Sequence, residues 1–166
     1  MRSSQLLTLA ALLSFALASI AADHPLLGRS APDFALRAGN GINVRLSEHR
    51  GDVVLLTFWS SRCNQCRAQL AVLDPLHATY KSAGLVTLAV SIDDNPVRAR
   101  EYLQSVRSQF PMLLDPAKQV GRSYDVNVLP MVLLIDRAGA VRYVHRDYKS
   151  GAEAEYVREL KTLLDE

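Results

Sequence analysis

The chain has 166 residues, 49% hydrophobic and 22% charged, with 19 lysines and arginines against 17 aspartates and glutamates. That is one globular domain's worth of chain, long enough to bury its own core and too apolar for a disordered protein. A net charge of +2 without a basic run leaves no electrostatic footprint for nucleic acid, and two cysteines make neither a multi-disulfide scaffold nor a four-cysteine zinc site.

The first residues read as an address. Arg2 precedes an apolar run from Leu6 to Ala18, broken only by Thr8 and Ser14, and small residues follow at Ser19, Ala21 and Ala22. This is the pattern of a signal peptide over 1–22, cut near Ala22, with Ala18 and Ala21 as other cut points. An uncleaved membrane anchor or a buried helix is the alternative, although the run is short for a membrane span. The expected remainder is one domain over 23–166, periplasmic or otherwise exported, in a compartment where disulfides persist.

After an irregular lead-in from Asp23 to Pro32, Phe34 and Leu36, then Ile42, Val44 and Leu46, alternate on either side of Ala38-Gly39-Asn40-Gly41. That predicts a hairpin with a glycine-rich turn. Val53–Trp59 is a continuous apolar run of β-formers and predicts a strand buried on both faces. From Cys63 to about Lys81 the pattern is helical, with Leu70, Leu73, His77 and Tyr80 sharing a face; Pro75 either kinks this helix or opens a second one. A second strand is expected over Leu85–Ile92, and Asp93-Asp94-Asn95-Pro96 opens a helix to about Gln109.

Met112–Leu114 reads as a short extended piece, and Asp115-Pro116 as the opening of a short helix ending near Tyr124. Met131–Ile135 is a third strand, turned back at Asp136–Gly139 into Val141–Val144. A terminal amphipathic helix then places Tyr156, Leu160 and Leu163 on one face. Strands alternating with helices predict an α/β fold, a mixed sheet with helices on both sides.

The chemistry concentrates at Cys63-Asn64-Gln65-Cys66, where the first buried strand gives way to a helix. Two cysteines one turn apart can close a disulfide with little backbone movement. Cys63 lies where unpaired helix N–H groups and the helix dipole favour a thiolate; Cys66, a turn deeper, would resolve the mixed disulfide. A structural disulfide of so short a loop removes little unfolded-state entropy. His24, His49, His77 and His145 show no metal-ligand spacing, so no metal and no cofactor are expected.

Phe58-Trp59-Ser60-Ser61-Arg62-Cys63-Asn64-Gln65-Cys66 resembles the F-W-A-x-W-C-x-x-C active site of the thioredoxin superfamily, in its exported TlpA/ResA-like branch. Gly28–Phe34 is similar to that branch's G-x-x-A-P-D-F opening, and Phe110–Asp115 to the F-P-x-x-x-D of its central insertion. The resemblance implies a thioredoxin-like fold with an N-terminal β-hairpin extension and a central αβ insertion. It also implies that Pro130 is cis and that the Leu129 backbone, with Trp59, meets a bound peptide; without it, Pro130 reads simply as the start of a strand.

Three positions depart from the family pattern. Thr57 stands where thioredoxins carry a buried Asp, Gln69 where this branch often carries a Glu, and Arg62 where a Trp usually precedes the first cysteine. Arg62 and Arg67 flank the cysteines, and their positive charge is expected to make the couple less reducing than thioredoxin, while Asn64 and Gln65 between the cysteines, with Thr57 and Gln69, are expected to modulate the site.

The activity implied is a thiol–disulfide oxidoreductase acting on disulfide-containing exported proteins. Its electrons would come from a membrane thiol-transfer reductant; a monomer with no nucleic-acid partner is expected. Two other readings remain on the same fold. A thiol peroxidase needs P-x-x-x-T-x-x-C, where this chain has Leu56 and Ser60. A copper metallochaperone usually has C-x-x-x-C and a distant histidine, for which only His145 is available downstream of His77.

Overall fold

The computed structural model describes residues 24–106 and 108–166. The signal peptide expected over 1–22 lies outside the described residues. In chain order the strands are β1 (Ala35–Ala38), β2 (Asn43–Arg45), β3 (Val53–Trp59), β4 (Leu85–Ser91), β5 (Met112–Leu114), β6 (Met131–Ile135) and β7 (Val141–Arg146). The helices are α1 (Asn64–Tyr80), α2 (Pro96–Ser105), α3 (Gln119–Ser123) and α4 (Glu153–Leu164). The strands form one sheet in the order β2-β1-β5-β4-β3-β6-β7, with β3, β4 and β5 parallel and the remaining pairings antiparallel. The mixed sheet and the N-terminal hairpin match the sequence expectation.

β3 is buried at every residue, and its alternation assigns the two faces of the sheet. Val54, Leu56 and Phe58 face a layer with Phe34, Val120 and Tyr124, supplied by the lead-in and α3. Val53, Leu55 and Trp59 face a layer with Leu70 and Leu73 of α1 and Tyr156, Leu160 and Leu163 of α4. Each of these fully buried side chains contributes about 1.5–3 kcal/mol through removal from water. Thr57, between Leu55 and Trp59 on an all-buried strand, shares the α1–α4 face.

α1 is a single helix despite Pro75. The proline cannot donate to the carbonyl of Ala71, but Ala71 is on the exposed side of the helix, where the loss of one bond costs less than in the core, and the helix continues. Two segments differ from expectation. α2 stops at Ser105 rather than near Gln109, because Val106 turns extended and the Gln109 N–H is captured by Asp74 Oδ1 at 2.8 Å. Ile42 is 61% exposed, because it sits in the hairpin turn beside Gly41, whose φ is 90°.

Candidate active site

The register pairs Trp59 of β3 with Ser91 of β4 and Phe58 with Met131 of β6. The C-terminal end of β3 therefore lies between the segment after β4 and the segment before β6. Four residues, Ser60 to Cys63, connect that end to α1. Cys63 is the N-cap of α1, and its Sγ accepts the Cys66 N–H at 3.0 Å. The two cysteines form a disulfide with Cα atoms 5.2 Å apart. Cys63 is half-buried and Cys66 fully buried, so of the two only Cys63 is partly open to solvent.

Sequence reasoning missed the group that shapes this loop. Asp93, only 7% exposed, accepts from Ser60 Oγ at 2.7 Å, Ser61 N at 2.9 Å, Ser61 Oγ at 2.9 Å and Ser91 Oγ at 2.9 Å. Burial pushes its carboxyl up, but the Ser61 N–H and the Ser60, Ser91 and Ser61 hydroxyls outweigh burial and hold it below the ordinary value. Asp93 does not open α2; Asn95 does, accepting the Val97 N–H at 2.9 Å. No sequence signal points to Asp93: the register that pairs Trp59 with Ser91, and so brings Ser61 opposite Asp93, is set by the tertiary structure.

On the buried side, the Thr57 hydroxyl donates to Gln69 Oε1 at 2.8 Å, and Gln69 Nε2 donates to Tyr156 Oη at 3.2 Å. All three residues are at most 1% exposed. Burial raises the Tyr156 phenol above its ordinary value. A hydroxyl and an amide thus stand where the resemblance calls for carboxylates, with the Tyr156 phenol beyond them, and none of the three carries charge near neutral pH.

The Leu129–Pro130 bond is cis, as the resemblance implies. Pro130 is buried, directly before β6 and next to the end of β3; Leu129 is half-buried between the two core layers. Arg62, Asn64 and Gln65 are exposed on the rim. Arg67 donates to the Ser61 carbonyl at 2.7 Å, with its guanidinium 5.9 Å from the Tyr102 ring centroid.

Trp59 is a correction. Expected to meet a bound peptide, it is 0% exposed and packed against Tyr102 with ring centroids 5.0 Å apart and planes tilted by 48°, because odd-numbered β3 residues face the α1–α4 layer. Its Nε1–H has no acceptor among the described residues. His145 is also engaged elsewhere: its Nε2 lies 2.6 Å from Glu159 Oε2 and its ring 4.9 Å from that of Tyr156. Among the described residues no three His, Cys, Asp or Glu side chains gather into a metal-binding group.

Residues 27–144 match the AhpC/TSA family. The chain belongs to the AhpC/TSA family. Within it, the thiol-disulfide oxidoreductase ResA of Geobacillus kaustophilus is 33% identical over 118 residues, covering 71% of this chain and 68% of that protein. The ResA of Geobacillus thermodenitrificans is 31% identical over 118 residues, with the same coverage of 71% and 68%.

Among solved structures, a Chlorobium tepidum protein described as a thiol:disulfide interchange protein DsbE superposes with a TM-score of 0.80 at 34% identity, covering 83% of this chain and 97% of that one. A Bacteroides thetaiotaomicron protein described as a protein disulfide isomerase gives a TM-score of 0.77 at 27% identity, covering 84% and 91%. The fold of this AhpC/TSA member is thioredoxin-like.

Proposed function

We propose that the chain is a thiol–disulfide oxidoreductase acting on disulfides of exported proteins, with Cys63 as the attacking thiol and Cys66 as the resolving one. The observation that carries this reading is the asymmetry of the pair: one sulfur half-exposed at a helix N-cap, the other sealed a turn below it. In the reduced protein, the Cys63 thiolate attacks one sulfur of a substrate disulfide, and the second substrate sulfur leaves as a thiolate that takes up a proton. Cys66, losing its proton to solvent, then attacks Cys63 Sγ. This closes the Cys63–Cys66 disulfide and releases the sulfur first attacked as a thiolate that takes up a proton, so two electrons pass from protein to substrate.

A membrane-bound dithiol partner would restore the reduced pair by the same exchange run through Cys63. The Cys66 N–H, already aimed at Cys63 Sγ, and the free N–H groups of the first turn of α1 stabilise the attacking thiolate. Leu129 N–H and C=O make no hydrogen bond among the described residues, and they lie at the cis proline where an extended substrate could add a strand. Thr57 and Gln69 would modulate the buried thiol as neutral dipoles. Export rests on the expected leader over 1–22; among the described residues no helix is long and apolar enough to cross a membrane.

The test is insulin reduction driven by dithiothreitol. Wild type should accelerate it, Cys63→Ser should abolish the acceleration, and Cys66→Ser should accumulate mixed disulfides with its substrates. Failure of wild type to accelerate reduction would sink the reading. A thiol peroxidase is the weaker reading: Leu56 is fully buried in the core, and Ser60 is held by Asp93, at the positions where that chemistry places proline and threonine.

A further inference from the structure

The Ser60–Arg62 loop, the segment between β4 and α2, and Leu129 enclose a cleft of about 150 Å³ beside the attacking cysteine. Its charges are unbalanced in a specific way. Five ionisable groups line it: Arg62, Arg98, Lys118, Asp93 and Asp94. Both oxygens of Asp93 are filled by the serine hydroxyls and the Ser61 N–H, and the group is buried. Asp94 is paired with Lys118 at 2.5 Å. Arg62 and Arg98 are exposed and pair with no carboxylate among the described residues. The five groups thus sum to three positive charges against two negative, with the surplus on two unpaired guanidinium groups, in a cleft lined by Arg62, the residue before Cys63, and by Leu129.

We propose that this cleft sets substrate choice: it selects disulfides whose attacked cysteine has an Asp or Glu close to it in the chain. The inference rests on the thiol–disulfide reading and deepens it. An extended polypeptide advances about 3.3 Å per residue, so an acidic side chain within about three positions of the cysteine stays within about 10 Å of the sulfur that meets Cys63, and Arg62, the residue before Cys63, lines the same cleft as Arg98. Guanidinium groups suit this role because their planar donor fork matches a carboxylate. A basic residue at the same place meets like charge, so the cleft both attracts one class of substrate and repels another.

The experiment uses the whole exported domain, reduced, and three peptide disulfides that differ only in carrying Glu, Ser or Lys two residues from the attacked cysteine. Apparent second-order rates are read at ionic strengths of about 0.01 M and about 1 M, where charges act over roughly 30 Å and 3 Å. At low salt the Glu peptide should react at least about fivefold faster than the Lys peptide, and the ratio should fall towards one at high salt.

Arg98→Gln should shrink this ratio and Arg98→Glu should invert it. Because each ratio is taken within one protein sample, lost folding or altered thiol reactivity cancels. A Glu/Lys ratio near one in wild type at low salt, or a ratio untouched by Arg98→Glu, overturns the cleft assignment while leaving the redox reading intact. If the neutral Ser peptide is not reduced at all, the redox reading falls, and the cleft assignment with it.

Discussion

The Thr57 hydroxyl donates to Gln69 Oε1 at 2.8 Å between β3 and α1, with both side chains sealed from solvent. Removing either partner strands the other. Thr57→Val or Gln69→Leu alone should each cost about 1–3 kcal/mol. The double variant should cost less than the sum, with a coupling of about 0.5–3 kcal/mol in urea unfolding. Additive costs would mean that the bond contributes nothing to the fold.

Gln69→Glu tests the same place differently. A carboxyl buried there has its pKa raised, so the folded state holds its proton more tightly than the unfolded chain does. The variant should therefore be closest to wild type in acid and lose stability as pH rises above about 4.3, the ordinary Glu value. Unfolding midpoints of wild type and variant that run parallel from pH 4 to pH 8 would contradict this.

Asp93 is predicted to act on Cys63 through the loop it holds. Asp93→Ala leaves the Ser61 N–H and three hydroxyls without their acceptor, at a cost of about 1–3 kcal/mol. Its folded carboxyl lies below the ordinary 3.8, so its contribution is present above that pH and lost as pH falls through the folded value. The variant's stability should thus be flatter than wild type's below pH 4. Alkylation of reduced Cys63 by iodoacetamide should slow in Asp93→Ala and recover partly in Asp93→Asn; an unchanged rate would leave Asp93 with a purely structural role.

Two histidines should make the fold sensitive to mild acid. His24 bonds the Tyr124 carbonyl at 3.1 Å, and His77 bonds Thr87 Oγ1 at 3.2 Å. Burial, aided by Arg146 at His24 and by Lys81 at His77, holds both below the ordinary 6.5. For a base with a lowered folded pKa, the unfolded chain takes the proton first, so stability is intact above 6.5 and falls as pH drops below it. Melting temperature should decline between pH 7 and pH 5, and His24→Gln and His77→Gln should each flatten that decline.

Arg67 is tied to the loop by its bond to the Ser61 carbonyl at 2.7 Å, which keeps its charge near the N-terminus of α1. It should stabilise the reduced thiolate form, so Arg67→Gln should make the Cys63–Cys66 couple more reducing by about 10–20 mV in glutathione equilibration. The wild-type couple should lie above about −270 mV. A shift in the opposite direction would show that the arginine serves the loop and not the sulfur.

The sequence alone determined what depends on neighbours along the chain. Cys63 and Cys66 meet because helix geometry brings residues three apart together, and Tyr156, Leu160 and Leu163 share a face by the same periodicity. Only the tertiary structure decided which way β3 faces. An unbroken apolar run carries no facing signal, so nothing in it opposes the peptide contact that the resemblance implies for Trp59, which is core. Two of the partners of Asp93, Ser60 and Ser61, lie some thirty residues before it, those of Gln69 on β3 and α4, and the end of α2 depends on Asp74 capturing a distant N–H. The physical reason is common to Asp93 and Gln69, both buried. A buried polar group must find a partner, and that partner is chosen by the packing of strands and helices in space, which local pattern does not encode.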